Sequence, residues 1–203
     1  QRQVDKLGKP VDRSEWGMSP QTVNAYYNSR QNEIVFPAAI LMPPFFNPEA
    51  DDAVNYGGIG AVIGHEIGHG FDDSGSQSDG DGNLRDWWTA EDKANFGKVT
   101  DALVAQYANY SPLEGYKVNG KLTLGENIGD NAGLSIAYKA YQLSLNGKKP
   151  PVIDGYTGNQ RVFMGWAQVW RGKARDKETV RLLQTDSHAP GMFRANGPLT
   201  NMP

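Results

Sequence analysis

One stretch of the sequence carries most of the information about fold and chemistry: Gly60-Ala61-Val62-Ile63-Gly64-His65-Glu66-Ile67-Gly68-His69. Its apolar positions recur at helical spacing and predict a helix over residues 54–70. Residues four apart share one face of a helix, so the imidazoles of His65 and His69 can reach one metal ion. Two neutral imidazoles suit Zn²⁺, and Glu66 beside them could accept a proton from a water on the metal. We therefore expect a buried zinc-binding helix rather than a chance match on a surface helix.

A zinc enzyme of this type needs a third protein ligand and one position open to water. The extended motif that supplies a third histidine requires Gly at position 72 and His at position 75, whereas this chain has Asp72 and Gly75. The third ligand is therefore either His188, the last histidine of the chain, or a carboxylate from another helix. We favour Glu126, with Asp130 on the same helical face as the hydrogen-bond partner of a ligand imidazole. Acids are also common at the start of a helix for electrostatic reasons alone.

The composition excludes several other kinds of functional site and partner. The chain has 203 residues, a formal net charge of −3, three histidines and no cysteine. Without cysteine there is no disulfide framework, thiolate metal site, iron–sulfur cluster or cysteine nucleophile. The small negative charge argues against nucleic acid or an anionic membrane surface as a partner, and no apolar run approaches the roughly 20 residues of a membrane span. We expect one domain over residues 1–203 that contacts neither nucleic acid nor membrane.

The rest of the sequence predicts an α+β fold that is mainly helical. Short β-type runs at 23–27 and 33–36 flank a polar turn and indicate a hairpin or a pair of edge strands. Thr89 and Asp92 form a capping-box pattern that begins a long amphipathic helix. Three further helices are expected, over residues 122–145, 160–174 and 178–183. No segment has the composition of a linker between domains.

Several motifs occur together in a fixed order. They include Val23-Asn24-Ala25-Tyr26-Tyr27, Gly125-Glu126-Asn127-Ile128-Gly129-Asp130-Asn131 and Asp186-Ser187-His188-Ala189-Pro190-Gly191-Met192-Phe193-Arg194, with further matches at 34–38, 43–46, 55–60, 65–73 and 86–89. With these motifs the chain resembles the catalytic lobe of the neprilysin / endothelin-converting-enzyme family of zinc endopeptidases. The resemblance implies a zincin fold of the gluzincin, thermolysin-like type, in which a small β element presents an edge strand to the substrate.

The resemblance also implies a role for each residue of the catalytic centre. One Zn²⁺ ion would be bound by His65, His69 and Glu126, with Glu66 as the general base. The remaining roles fall to Asp130, which would orient His65, to Asp72, which would orient His69, and to His188, which would hydrogen-bond the oxyanion of the tetrahedral intermediate. From its position alone, Asp72 is explained equally well by a turn at the end of the helix.

For the substrate, the resemblance implies binding of an extended peptide. Asn24 and Ala25 would pair with the substrate backbone as an edge strand, and Arg194 would bind a substrate carbonyl on the primed side. An apolar residue would be preferred after the cleaved bond, because four positions match the apolar primed-side pocket of the family. These positions are Ile40, Phe45, Val62 and Trp170.

Members of the family are far longer than this chain, and a helical N-terminal lobe closes over their active sites. We therefore expect the catalytic part of a larger enzyme, whose missing lobe, in the same chain or a separate one, is its partner. The family implies an extracytoplasmic location, and the lack of cysteine favours a bacterial homologue over the disulfide-bonded animal enzymes. Two rival interpretations stay open: an inactive zinc-containing module that only holds peptides, and a structural zinc site with four protein ligands.

Overall fold

The computed structural model describes residues 4–202. Within this part, one antiparallel sheet pairs β1 (Tyr26–Asn28) with β2 (Glu33–Val35). The helices are α1 (Asp52–Asn55), α2 (Ala61–Gly68), α3 (Ala90–Ala108), α4 (Leu124–Ser144), α5 (Gly158–Val169), α6 (Asp176–Thr185) and α7 (Gly191–Asn196). A π turn (Tyr56–Gly60) joins α1 to α2, and short 3₁₀ segments cover Val4–Lys6, Ala38–Ile40, His69–Phe71, Gly75–Gln77 and Pro198–Asn201. The architecture is mainly helical with a small sheet, as the sequence predicts.

The predicted metal-binding helix is longer and less regular than its periodicity indicates. Helical structure runs without a break over residues 52–71, as α1, the π turn, α2 and a final 3₁₀ turn. The π turn depends on glycine, because a Cβ on Gly57 would overlap the carbonyl oxygen of Val162 in α5. The backbone of α5 can therefore approach this turn closely, which fixes the point where α2 begins.

The backbones of α2 and α4 touch where the two helices cross. A Cβ on Gly64 of α2 would lie 2.8 Å from the Cα of Gly133 on α4, and a Cβ on Gly133 would lie 2.5 Å from the backbone nitrogen of His65. Glycine at both positions lets the helices approach more closely than side chains would allow. The contact continues from Gly68 to Gly129, so the helices run antiparallel. The first turn of α4 consequently lies beside the end of α2.

Two clusters of apolar side chains pack against α2 near its crossing with α4. A cluster between α2, α4 and α5 consists of Ala61, Leu134, Ala137 and Trp166. A second cluster joins the segment before β1 to the long helix and consists of Ala25, Ile40, Ile59 and Val62. Burial of a side chain such as that of Leu134 contributes about 1.5–3 kcal/mol to folding. None of the helices within residues 4–202 has both the length and the apolar character needed to cross a bilayer.

The sheet confirms the predicted hairpin, but β1 begins later than predicted. The strands pair in the register Tyr26↔Val35, Tyr27↔Ile34 and Asn28↔Glu33. Asn24 and Ala25 precede β1, and neither backbone hydrogen-bonds to another backbone within the described residues. The ladder stops at Val35 because Pro37, two residues further on, has no N–H to continue it. The N–H and C=O groups of this segment are therefore left without a partner strand.

The two helices with the clearest sequence patterns form as predicted. α3 begins at the capping box, in which Thr89 Oγ1 accepts from the Asp92 N–H at 3.1 Å and the Asp92 carboxylate accepts from the Thr89 N–H at 3.3 Å. α4 begins at Leu124, two residues later than predicted, with Thr123 as its N-cap. Local capping therefore fixes the start of α3 more clearly than that of α4.

The later helices differ from prediction at their ends. The helix predicted over 160–174 ends at Val169, because Trp170 leaves helical geometry and places its ring 3.8 Å from the guanidinium of Arg194. The helix predicted over 178–183 is longer and forms α6. α7 was not predicted, since its six residues are too few to show a helical period.

Replacing Gly133 by Ala should separate α2 from α4, because the new methyl group would overlap the backbone of α2. We expect a loss of about 1–3 kcal/mol in the free energy of unfolding. Zinc affinity should fall as well, because His65 lies at the contact. Urea denaturation with and without zinc would measure both effects.

Gly97→Ala is the matched control. Gly97 lies within α3, and a Cβ there would meet nothing within 4 Å. The change should be neutral or stabilising by about 0.5–1 kcal/mol, because alanine is the better helix former. If both variants behaved alike, the close contact of α2 and α4 would not limit stability.

Candidate metal centre

Three side chains from two helices converge on one point. His65, His69 and Glu126 each offer one ligand atom, and these atoms lie within 4.8 Å of one another. His65 stands in α2, His69 begins the 3₁₀ turn after it, and Glu126 lies in the first turn of α4. Oε2 of Glu126 is 3.2 Å from His65 Nε2 and 3.7 Å from His69 Nε2. The antiparallel crossing of the two helices therefore sets the carboxylate against both imidazoles.

These separations fit the ligands of one metal ion. Zinc binds nitrogen and oxygen at about 2.0–2.2 Å with tetrahedral angles, so two ligands of one ion lie roughly 3.4 Å apart. Oε2 of Glu126 is buried and makes no well-formed hydrogen bond within the part of the chain that the structure describes. A buried carboxylate oxygen without a partner, beside two imidazole nitrogens, is a donor set that suits zinc.

Each imidazole is held at its other nitrogen by a carboxylate. His65 Nδ1 lies 2.9 Å from Asp130 Oδ1, and His69 Nδ1 lies 2.7 Å from Asp72 Oδ2. An ionised carboxylate only accepts, so Nδ1 carries the proton and Nε2 can offer its lone pair to a metal. Asp72 also closes the turn after the helix, because its Oδ1 accepts the backbone N–H groups of Ser74 and Gly75 at 2.8 and 2.7 Å. The Asp72 carboxylate therefore both contacts the His69 ring and forms the turn at the end of the helix.

Asp130 is fully buried and is compensated by Arg194. Nε and Nη2 of Arg194 each donate to an oxygen of Asp130 at 2.7 Å, and the guanidinium lies 3.8 Å above the ring of Trp170. Burial alone would raise the pKa of Asp130, but the charge and hydrogen bonds of Arg194 hold that pKa below its usual value. Nη1 makes no hydrogen bond within residues 4–202.

The charged states of the centre follow from these contacts. Burial lowers the pKa of His65, but the carboxylates of Asp130 and Glu126 outweigh it and raise that pKa to about 9. Metal binding at Nε2 must therefore release a proton from this ring near neutral pH. Glu66 is buried in α2 and lines the same cavity, and burial raises its pKa. A raised pKa suits a carboxylate that takes up a proton during reaction.

His188 reaches the centre from the loop before α7. Its Nε2 is 3.1 Å from Glu126 Oε2, but the residue does not belong to the group of mutually close ligand atoms. The geometry therefore favours Glu126 over His188 as the candidate for the third ligand. Asp186 Oδ1 holds His188 by accepting from its backbone N–H at 2.9 Å and by contacting Nδ1 at 2.7 Å. The nearby Glu126 carboxylate raises the pKa of His188, which favours the protonated, donating ring.

Asp186 belongs to one of the quoted motifs, but no role was predicted for it. It lies two residues before His188, and an acid at that spacing can hold both the backbone and the ring of the histidine. That spacing was the available signal.

A cavity of about 630 Å³ lies over the three ligand side chains. Asn24 and Ala25 line one wall, and Arg194 lies at its edge. The predicted apolar pocket residues line one end, together with Trp166, which was not predicted; they are Ile40, Phe45, Val62 and Trp170. Of the residues predicted for the site, Asp130 alone is absent from the lining, because it is buried behind His65.

The fold and the site define a class. A helix with two histidines and an intervening glutamate, completed by a carboxylate from a second helix, is the arrangement found in metallopeptidases. The family model described as Peptidase family M13 matches residues 24–203. The chain belongs to peptidase family M13, which confirms the resemblance seen in the sequence.

Curated relatives match nearly the whole chain. It is 48% identical over 206 residues to neprilysin-11 of Caenorhabditis elegans, and the matched region covers 99% of this chain and 24% of the relative. It is also 48% identical over 201 residues to human endothelin-converting enzyme 1, covering 98% of this chain and 26% of the relative. The chain therefore spans about a quarter of the length of these relatives.

Solved structures agree in fold. The Mycobacterium tuberculosis zinc metalloprotease Zmp1 in complex with an inhibitor is 62% identical with a TM-score of 0.96, covering 99% of this chain and 32% of that one. PepO from Lactobacillus rhamnosis is 42% identical with a TM-score of 0.85, covering 97% of this chain and 30% of that one. The helical architecture with its small sheet is thus that of M13 peptidases.

Replacing Asp72 by Asn should weaken metal binding while leaving the turn intact. The amide oxygen can keep the two backbone contacts, but the NH₂ group would face His69 Nδ1 and favour the tautomer with its proton on Nε2. We expect zinc affinity to fall about 10–100-fold. Competition with a chromophoric chelator would measure it, and the melting temperature would report on the turn.

Asp79→Asn is the control for the turn itself. Asp79 Oδ1 accepts the backbone N–H groups of Asp81 and Asn83 at 3.0 Å each, but within the described residues it bonds no imidazole. Zinc affinity should stay at the wild-type value. Equal affinities for all three proteins would contradict a role of Asp72 in setting the tautomer of His69.

Proposed function

We propose that this chain is the catalytic part of a zinc-dependent endopeptidase that hydrolyses internal bonds of peptides. One observation carries the proposal: His65, His69 and Glu126 stand at the ligand separations of one zinc ion, with the buried carboxylate of Glu66 in the same cavity. Membership of family M13 supports it, as does the 62% identity to a structure titled a zinc metalloprotease. In this reading the fold is that of a gluzincin, a zincin whose third ligand is a glutamate.

The chemistry follows from the residues around the centre. Zinc, when bound, would polarise the carbonyl of the cleaved bond and make a water more acidic. Glu66 would take a proton from that water as its oxygen attacks the carbonyl carbon, and would pass the proton to the departing nitrogen. The carbon–nitrogen bond breaks, giving an amine and a carboxylic acid, which becomes a carboxylate when it loses the second proton of the water. Asp130 and Asp72 would keep both ligand rings in the required tautomer.

His188 would stabilise the charge that develops on the carbonyl oxygen. Its ring stands beside the ligand group without belonging to it, and Asp186 fixes its Nδ1 so that Nε2 points into the cavity. A donor placed where an oxyanion forms typically contributes a factor of roughly 10²–10³ in rate. The raised pKa of His188 favours the form of the ring that donates from Nε2.

The substrate would bind as an added strand. Asn24 and Ala25 line the cavity and leave their backbone groups without a partner strand, so an extended peptide could hydrogen-bond there. Arg194 Nη1 would receive a substrate carbonyl. The apolar end of the cavity would take the side chain after the cleaved bond, because burying apolar area there is favourable.

The whole protein would contain more than this chain. The curated relatives are about four times as long, so a further region of the same enzyme would cover the cavity and restrict entry to peptides. We propose a helical N-terminal lobe for that region and an extracytoplasmic location for the enzyme, both from its family.

Glu66→Gln should retain zinc and lose hydrolysis, because the amide cannot accept the proton. In the full-length protein, kcat for a quenched fluorescent peptide should fall by about 10²–10⁴, and a chelator should abolish wild-type activity. Peptides with Leu after the cleaved bond should outperform matched peptides with Asp. Glu114→Gln, an exposed carboxylate outside the cavity, should be indistinguishable from the wild type.

This assay also separates the rivals. An inactive peptide-holding module would bind the peptide without cleaving it, and a structural zinc site would require a fourth protein ligand. Three are found among the described residues. A Glu66→Gln protein with full activity would refute the base assignment.

His188→Leu should lower kcat/KM by about 10²–10³, mostly through kcat, because the donor acts in the transition state. Zinc content measured by atomic absorption should remain at one ion, since His188 is not a ligand in this proposal. Loss of zinc in this variant would instead make His188 a ligand.

A further inference from the structure

The cavity over the metal centre has two chemically different ends. Ile40, Phe45 and Val62 pack together in the lining and form the apolar end. The lining residues outside the apolar clusters include Tyr27, Ser29, Asp73, Ser74 and Leu122, and we assign them to the other end. We call it the acidic end, because Asp73 is its charged group besides the carboxylates that face the metal.

The order of residues along both walls sets these ends on opposite sides of the metal centre. On one wall, Val62 precedes the ligand histidines in α2, and Asp73 follows them in the turn after the helix. On the other wall, Ala25 packs with Val62, whereas the Tyr27 hydroxyl lies 3.3 Å from where Gly70 would carry a Cβ. An extended peptide along this wall would place its primed residues at the apolar end and its preceding residues at the acidic end.

Asp73 faces the cavity beside the metal centre. Its Oδ1 lies 3.0 Å from the position where Gly125 would carry a Cβ, one residue before the ligand Glu126. The residue is exposed, and the charged groups that act on its carboxylate are Asp72 and, more weakly, His69. Partial burial and the negative Asp72 raise the pKa of Asp73, and no Lys or Arg of the described residues forms an ion pair with its carboxylate.

Lys and Arg side chains are scarce in the cavity lining. Among the lining residues that the structure describes, Arg194 is the one Lys or Arg, and it lies against Asp130. A cationic side chain from a substrate would therefore meet at Asp73 a carboxylate that no protein cation occupies.

We propose that Asp73 is a specificity-determining residue that selects peptides with Lys or Arg in one of the two positions before the cleaved bond. The inference rests on the proposed endopeptidase function and extends it to the unprimed side of the substrate. An ion pair at an exposed site is worth about a two- to fivefold preference. Salt weakens such a pair, since the screening length at physiological ionic strength is about 8 Å.

A purely structural role for Asp73 would have different consequences. An acid near the start of α4 interacts favourably with the helix dipole, and that contribution does not depend on the peptide. Asp73→Asn keeps the shape of the side chain, and the backbone carbonyl that accepts from Gln77 is unchanged. Discrimination between peptides therefore tests the proposal, while melting temperature reports the structural contribution.

The test uses the full-length, zinc-loaded protein and peptides that differ in one residue before the cleaved bond: Arg, Gln or Glu, placed at each of the two positions in turn. The ratio of kcat/KM for Arg over Gln should be about two to five in the wild type at one of these positions. It should fall to about one in Asp73→Asn, and Asp73→Lys should favour the Glu peptide. The wild-type ratio should shrink as salt is raised.

Two controls make the outcomes decisive. Asp101→Asn, on the exposed face of α3, changes the net charge equally and should keep the wild-type ratio. Dissociation constants of the same peptides for the Glu66→Gln protein, alone and combined with Asp73→Asn, measure selection without turnover. An unchanged Arg-to-Gln ratio in Asp73→Asn overturns the role of Asp73, even if the wild type cleaves every peptide. If the peptides bind selectively in a way that depends on Asp73, but the wild-type protein hydrolyses none of them, the role of Asp73 is supported and the proposed peptidase function is overturned.

Discussion

The arrangement of the site depends on the contact between the backbones of α2 and α4. Gly64 and Gly133 remove the side chains that would otherwise hold the helices apart, and Gly129 leaves room for the ring of His65. A carboxylate in the first turn of α4 can then reach two imidazoles at the end of α2. Zinc ligation tolerates errors of only a few tenths of an ångström, so a site shared by two helices requires a spacing that cannot drift.

The charges around this contact alternate. Starting from the outside, the order is Asp186, His188, Glu126, the metal position, His65, Asp130 and Arg194. Glu126 and Asp130 each lie between two groups that are or can be positive, which offsets the cost of removing these carboxylates from water. The arrangement explains why Asp130 can be buried completely yet remain ionised. It also makes the orientation of each ligand ring depend on a residue that never contacts the metal.

The sequence predicted the parts of the molecule that depend on local patterns. The helical period around His65, the capping box at Thr89 and the hairpin were all visible, because each is fixed by neighbours within a few residues. The end of α5 was not, since Trp170 leaves the helix and its ring lies against the guanidinium of Arg194, which is distant in sequence. Proximity of Glu126 to His188 likewise depends on tertiary packing. The role proposed for Asp73 required the cavity, because nothing in its sequence neighbourhood distinguishes it from a solvated acid.

The π turn before α2 has a consequence for how this protein can change over evolutionary time. Gly57 is pressed against the α5 backbone, and His65 follows it at a fixed number of residues. One residue added to or removed from a helix rotates everything beyond it by about 100°. A single insertion or deletion between these two positions would swing the imidazoles away from α4, whereas many substitutions would leave them in phase. Substitutions in this segment are therefore tolerated far more readily than changes in its length.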